Sequence, residues 1–491
     1  MHKTRKLLRR EFRVLAIIEV KLQFFSQAIN MKSSTFMHEI IISKGTNCSW
    51  LLFWGFMKTI LHWFKQDLRI HDMSGFACIN PQDCLLPVYI FDPRHRVKLQ
   101  YGFPKMSDHR LAFLEQSVLA LKKKLQSLNS DLLILEGKPE ELLQILVKQF
   151  NIDAIHTEKE IAHEEIQVVC NVRNSTSIPV IEFESRTMFT ESELPWNLEQ
   201  LPSVFTEFRK GIEKHIGLNH SVLAEHSLPE MPKSFDSIDV KYLWNGPCLT
   251  HMSIHPKSAI RAIGGEDEGL KRLHEYTYGM HGIATYKETR NGLIGDAYSS
   301  KFSPWLALGS LSAKNILKTV NDYEQEFGAN DSTYWMKFEL LWRDFFQWTV
   351  KKHGNVCFMA GGIRGIDKKK TFDPDTFDAW RFGETEDAFV NANMKELYLT
   401  GFMSNRGRQN VASYFVHDLN QDWRVGAAWF ESRLIDYDVA SNWGNWMYIA
   451  GVGNDPRQDR VFNTKRQADL YDPNGEYQKM WLHEYMAKND S

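Results

Sequence analysis

The sequence predicts an α/β amino-terminal domain with a parallel, Rossmann-like sheet, joined by a long connector to an all-α domain. Three observations carry this expectation. Between residues 57 and 188, short apolar runs alternate with helical patterns, as in a parallel sheet covered on both faces. From 189 to 257 the periodicity weakens, and Pro, Ser and His punctuate the chain. From 258 to 491 the pattern is helical and rich in aromatic residues, broken at "GGED", "NGLIGDA" and "GVGNDP".

In chain order, residues 1–56 come first. They hold nine Lys/Arg against three Asp/Glu and no sustained period. They are expected to be an extension, disordered or foreign to the native protein, with Met57 as the functional start. Glu11, Glu19 and Glu39 interrupt what would otherwise resemble a transit peptide. Organelle targeting is therefore not supported, and a bacterial source would make the protein cytoplasmic. Strands are expected at Thr59–Phe64, Leu85–Phe91, Leu132–Leu135, Ala154–His156 and Pro179–Phe183, with helices at 108–128, 139–150 and 162–173. Such sheets bind ligands at the carboxyl ends of their strands, yet the chain has neither GxGxxG nor a Walker loop.

Composition narrows the function. The 491 residues are 43% hydrophobic and 24% charged, a globular balance. A net charge of −2 excludes a uniformly basic DNA-coating protein and leaves room for a local basic groove. The six cysteines form no CxxC, and Cys248, His251 and His255 lack a second ligand pair, so no metal site is expected. No apolar run approaches the roughly 20 residues of a membrane span. The unusual feature is aromatic: 15 Trp, 16 Tyr and 31 Phe.

Four segments of the helical half carry chemistry. In "YSSKFSPWLALG" (298–309), Pro304 suits a first helical position and Ser303 the N-cap. Ser299, Ser300, Lys301 and Ser303 then crowd a helix start, a composition suited to an anion. In "YWMKFELLWRDFFQW" (334–348), Glu339, Trp342, Arg343 and Phe346 share one helical face. That face suits either a core ion pair or an aromatic pocket with two polar groups. In "TGFMSNRGRQN" (400–410), Asn405, Arg408 and Gln409 share a face, with Arg406 turned elsewhere. Amides suit base edges and arginines suit phosphates. In "LIDYDVASNWGNWMYIAGVGN" (434–454), Asp436 and Asp438 precede Asn442, Trp446 and Tyr448. Paired carboxylates can do acid/base hydrolysis, but the amide and indole neighbours suit a planar heteroaromatic ligand better.

These segments, with "WFKQDLRIHD" (63–72), "YKETRNGL", "DWRVGAAWFES" and "GNWMYIAGVGNDPR", occur in the order of the photolyase/cryptochrome family. The chain resembles that family, and its DASH-type cryptochromes in particular, from Met57 to about Leu482. The resemblance implies FAD in the helical domain. Tyr286, Ser299, Ser300, Lys301, Phe302 and Ser303 match the stretch around the pyrophosphate and ribityl chain. Arg343, Arg408, Asp436 and Asp438 match flavin-contacting positions, and Asn442 the residue facing flavin N5. Glu339, Trp342, Asn405, Gln409 and Tyr448 match positions around an extruded pyrimidine dimer. Arg290, Arg406 and Arg460 match positions near the DNA backbone. The implied activity is light-driven repair of cyclobutane pyrimidine dimers by electron transfer from reduced FAD, best in single-stranded DNA, by a monomer. The alternative within the same resemblance is a flavin photoreceptor with little repair. The resemblance also implies a methenyltetrahydrofolate antenna in the α/β domain, with Glu160 of "HTEKEIAHEE" (156–165) as its contact.

The chain departs from the family in three places, the least of them Met73, which stands in the amino-terminal signature where Asn is common. Trp446 and Trp423 match the proximal and middle members of an electron-carrying tryptophan series, but position 370, where the distal member belongs, is Lys370. Phe372 and Trp380 lie close by in sequence. At 386–391 the usual Gly-x-Pro turn is absent, so the local turn is expected to differ.

Overall fold

The computed structural model describes residues 57–219, 222–223, 227–233, 240–246, 249, 252–366, 371–457 and 461–484. The extension 1–56, Cys248, His251, Lys370 and Arg460 lie outside the described residues. In the amino-terminal half the elements are β1 (Thr59–Phe64), β2 (Cys84–Phe91), α1 (Asp108–Ser127), β3 (Leu133–Glu136), α2 (Pro139–Phe150), β4 (Ala154–Glu158), α3 (His163–Ser175) and β5 (Val180–Phe183). Every strand and helix expected there is present, within two residues at each end. The sheet is parallel throughout in the order β3-β2-β1-β4-β5.

Alternation along each strand distributes side chains to two cores. Leu61, Trp63, Leu86 and Val88 pack with Leu143, Leu146 and Val172 of α2 and α3. Phe64, Leu85 and Tyr89 face the other way, onto Leu114, Val118 and Leu121 of α1. Both faces of β1 and β2 are covered, which explains why these two strands read as nearly continuous apolar runs.

The helical part includes α4 (Glu266–His274), α5 (Asp331–His353), α6 (Pro374–Arg381), α7 (Ala388–Thr400), α8 (Asn405–Ser413), α9 (Trp423–Arg433), α10 (Val439–Ile449) and α11 (Glu476–Leu482), with further helices at Phe205–His215, Ala313–Phe327 and Thr464–Tyr471 and shorter helical turns among them. The unusual 386–391 turn resolves by capping. Asp387 Oδ1 accepts from the Val390 N–H at 2.9 Å, and Asn391 Oδ1 accepts from the Thr385 N–H at 2.9 Å.

The two halves are clamped by the loop after β1. Arg69 is 1% exposed and donates to the carbonyls of His71 (3.0 Å), Gly309 (2.8 Å), Asp72 (3.2 Å) and Ser185 (3.2 Å). Glu266 of α4 accepts from the backbone N–H of Ile70 (2.8 Å) and of His71 (3.0 Å) and faces the His71 ring. Burial pushes the Glu266 carboxyl up, but His71 and the two N–H groups hold it below the usual range. Gly309 has φ +65°, and a Cβ there would lie 2.0 Å from the Gln66 carbonyl oxygen. The backbone therefore approaches as only glycine allows.

Gly309→Ala is expected to lose about 2–4 kcal/mol of stability, from a clash with backbone that cannot move aside. Gly328→Ala, also at positive φ but with open space around its Cβ, should lose less. Denaturant unfolding of both variants decides; equal losses would mean that the approach at Gly309 carries no special weight.

Candidate functional site

A cavity of about 610 Å³ opens into the helical part, within the range of small-molecule and cofactor sites. Four stretches of chain build it. Tyr286, Arg290 and the Tyr298–Ser303 segment form one wall, and α5 supplies Glu339, Trp342, Arg343 and Phe346. The start of α8 supplies Asn405, Arg408 and Gln409, and the Asp436–Asp438 loop with α10 supplies Asn442, Trp446 and Tyr448. These are the four segments singled out by chemistry, now on one surface. The shared faces expected for 339–346 and 405–409 are the faces turned to the cavity.

The carboxylates are structural organisers rather than a hydrolytic pair. Asp438 caps α10, accepting from the Ser441 N–H at 2.7 Å and from Gln347 Nε2 at 2.8 Å. Burial pushes its carboxyl up, yet Arg343, Ser441 and Arg186 hold it below the usual range. Asp436 Oδ2 accepts from Ser303 Oγ (2.6 Å) and from Arg408 Nη2 (2.8 Å), while its buried Oδ1 has no partner. Arg343 Nη1 donates to the Arg186 carbonyl at 2.6 Å, tying the cavity floor to the chain that leaves β5. Asn442 donates to the Ala427 carbonyl at 3.0 Å.

The expected Ser303 cap is corrected. The short helix Ser303–Ala307 has Phe302 at the cap position, and the Ser303 hydroxyl is spent on Asp436. A five-residue helix contributes little dipole; the donors come instead from the strained segment before it. Lys301 has φ +59°, and the Ser299 and Ser300 carbonyls are pinned by Arg272 at 3.1 and 3.0 Å.

Towards the mouth, Glu339 is paired with Arg290, whose guanidinium lies 5.6 Å from the centre of the Trp335 ring. Burial raises the Glu339 carboxyl even with Arg290 beside it. Trp342 stacks on Phe205 at 3.8 Å and meets Tyr448 edge-on at 5.9 Å. Arg406 does not line the cavity; it donates to Gln409 Oε1 at 3.0 Å and to Asn291 Oδ1 at 2.9 Å and covers the Tyr471 ring.

Trp446 lines the cavity and packs edge-on against Phe430 (5.1 Å) and Trp380 (6.2 Å). Trp423 lies outside the lining, buried, with its indole N–H on the Ala360 carbonyl at 3.1 Å. It meets the half-buried Trp443 edge-on at 5.6 Å. Trp380 is fully buried, so it does not itself reach solvent.

Glu160 does not line this cavity. Matched by the resemblance to an antenna contact, it lies in the loop between β4 and α3, buried and ion-paired with Lys65 (2.7 Å) and Arg186 (3.0 Å). Burial raises its carboxyl, and the two cations more than reverse that. Sequence reasoning missed Tyr298, Phe205, Tyr437 and Arg457 as lining residues. Tyr298 and Arg457 sit inside blocks already singled out; Phe205 comes from the connector, where no pattern marks it. Among the described residues no acidic, His or Cys cluster could hold a metal, and no helix is long and apolar enough to cross a membrane.

Comparisons with known proteins agree with this geometry. Residues 60–233 match the family model described as DNA photolyase, and 335–490 match the FAD binding domain of DNA photolyase. The chain is 44% identical over 436 residues to cryptochrome DASH of Gloeobacter violaceus, covering 87% of this chain and 86% of that protein. It superposes on the crystal structure of a Synechocystis cryptochrome with TM-score 0.83 and 42% identity, covering 87% and 88% of the two chains. A class III photolyase from Agrobacterium tumefaciens, 23% identical, shares the fold (TM-score 0.72; 88% of each chain). With an FAD-binding domain of the photolyase type and this likeness along most of its length, the chain belongs to the photolyase/cryptochrome family, in its cryptochrome DASH branch.

Proposed function

We propose that this protein is a light-driven lyase that splits cyclobutane pyrimidine dimers, with a preference for single-stranded DNA. One observation carries the reading: the flavin-matching and dimer-matching positions line the same cavity. The residues present fit FAD. The wall offers serine hydroxyls, the buried unpartnered Lys301 Nζ and the Arg408–Asp436 pair within an aromatic lining. Tyr286 and the Ser299–Ser303 stretch would hold the phosphates and ribityl chain, and Arg343, Arg408, Asp436, Asp438 and Asn442 the isoalloxazine. Reduced FAD bound there would supply, on absorbing blue or near-ultraviolet light, the one electron that splits a dimer and then returns.

The chain's own residues orient and exclude water. Trp342 and Tyr448, edge to face, offer an aromatic corner against which a dimer can rest. Asn405 presents its amide for pyrimidine edges, Gln409 the NH2 of its amide (its oxygen accepts from Arg406 at 3.0 Å), and Glu339 a carboxyl that burial raises even with Arg290 paired to it. A dimer must leave the base stack to enter, which costs less from a single strand. Arg290, Arg406 and Arg460 are the proposed backbone contacts. In this reading the protein acts as a monomer, in the cytoplasm if the source is bacterial, and 57–188, 189–257 and 258–491 work as antenna domain, connector and catalytic domain. A methenyltetrahydrofolate antenna belongs to the same reading, but the Glu160 carboxylate is already committed to Lys65 and Arg186.

Reduced protein mixed with thymine-dimer oligonucleotides and illuminated should restore the single-stranded substrate faster than the duplex. Binding without light-dependent repair of either would replace the lyase by the photoreceptor reading. Affinity for the dimer strand should fall steeply with salt, and Arg406→Ala should lower the log–log salt slope by about one. Lys370 cannot carry a hole, so photoreduction of the oxidised protein should be slow while repair by chemically reduced protein survives. What photoreduction remains should fall further in Trp443→Phe than in Trp380→Phe, because Trp443 is half-buried and meets Trp423 edge-on, whereas Trp380 is fully buried. Fast photoreduction, untouched by Trp443→Phe, would contradict this.

A further inference from the structure

Behind the cavity wall lies a knot of buried polar atoms without partners. Lys301 lines the cavity, is 3% exposed, and its Nζ has no hydrogen-bond partner. It rests 3.1 Å from the centre of the Tyr298 ring and 4.9 Å from that of Phe402. The Tyr298 hydroxyl is unpartnered as well. Glu396 of α7 is 1% exposed. Its Oε2 accepts from the Tyr477 hydroxyl of α11 at 2.6 Å, and its Oε1 has no partner. Lys301 is left on a backbone that L-residues rarely adopt, with φ +59°. Strain of this kind persists where the surroundings impose it and gathers at functional sites.

An ammonium in such a place is costly unless a negative charge answers it. The charged groups facing Lys301 are Glu396, Arg272, Arg408 and Asp296. Arg272 and Arg408 repel it, and both are already engaged, Arg272 by backbone carbonyls and Arg408 by Asp436. The aromatic faces of Tyr298 and Phe402 soften the cost without removing it. The missing charge would come from a ligand phosphate in the cavity.

We propose that Lys301 is a proton-coupled anchor: it takes up a proton when a pyrophosphate-bearing ligand enters the cavity, and Glu396 is the positioning residue that governs where that proton comes from. The inference rests on the FAD reading and adds to it a chemistry of loading. Without ligand, burial lowers the Lys301 amine well below its usual range. Burial pushes Glu396 up to about 7, against the pull of Tyr477, Lys301 and Arg408. A bound phosphate raises the Lys301 value. In the window between its unliganded and liganded values, binding therefore consumes a proton and affinity falls as pH rises. Below about 7, Glu396 carries its own proton and can give it up as Lys301 becomes charged. The proton then moves from carboxyl to amine, and little is drawn from solution.

The test titrates the flavin-stripped full chain with FAD by calorimetry in buffers of different ionisation heat. At roughly pH 8–9, below the usual lysine value, the wild type should take up protons. Lys301→Arg, charged throughout, should bind FAD and take up none. Glu396→Gln should extend the uptake below neutral pH, where the wild type shows little; a merely structural Glu396 would lower affinity and leave the uptake profile unmoved. No uptake by the wild type at alkaline pH, or equal uptake by Lys301→Arg, would overturn the proposal while leaving the flavin reading intact. Failure of the wild type to bind FAD at all would overturn both.

Discussion

The constraint on which the rest depends is the burial of one guanidinium. Arg69 carries a full charge into the seam between the sheet and the helices and meets no carboxylate there among its hydrogen bonds. It is held by carbonyl dipoles from its own loop, from the chain after β5 and from the turn at Gly309. A buried cation is tolerated only when its donors are satisfied together. Moving either half would strand several donors and carbonyls at once. Glu266 works in the opposite sense, an anion reaching from α4 to the N–H groups of Ile70 and His71. The two ties cross the same seam in both directions. The "WFKQDLRIHD" stretch is thus an architectural element whose polar residues hold the two halves together.

That seam reaches the cavity. The chain leaving β5 gives its Ser185 carbonyl to Arg69 and its Arg186 carbonyl to Arg343. The Arg186 side chain meanwhile neutralises Glu158 and Glu160 at the carboxyl end of β4. Arg343 and Arg186 both favour the ionised form of Asp438, which caps α10 and so fixes Asn442 and Trp446. A charge relay of fixed geometry thus runs from the sheet edge to the cavity floor, and every member is buried or nearly so. Such a network preorganises a site at low reorganisation cost, provided all its members are satisfied. Among the described residues that line the cavity, Asp436 Oδ1 and the Tyr298 hydroxyl are buried without partners, and the carboxylate oxygen is where a ligand donor is most needed.

Much of this was legible in the sequence because the signals were local. The strands of the sheet show as apolar runs, and helical spacing alone puts Glu339, Trp342, Arg343 and Phe346 on one side of α5. Four separate motifs met on one cavity because each was already a face of a helix or a loop beside it. What was not legible depended on distant partners. Ser303 has the sequence of a cap but lies beside Asp436, and the hydroxyl follows the stronger, charged acceptor. Glu160 has the sequence of a solvated loop, yet Lys65 and Arg186 arrive from 95 positions before and 26 after it to bury it. Phe205 belongs to a connector without period and still supplies the ring on which Trp342 stacks.

The tryptophan excess divides along the same line between packing and site. Trp305, Trp380 and Trp423 each satisfy their indole N–H on a backbone carbonyl deep in the fold. They act as large core residues whose one polar atom fixes their orientation. Trp342 and Trp446 keep an edge on the cavity, and each is braced from behind by other rings. Gly426 shows how tight that bracing is: a Cβ there would lie 2.3 Å from the Trp446 ring. Because Gly426 sits one turn after Trp423 on α9, the same close approach that locks Trp446 also brings the helix bearing Trp423 against it. Packing and any electron route through these indoles therefore share one contact. A side chain at Gly426 would push the rings apart and loosen the cavity wall in the same movement.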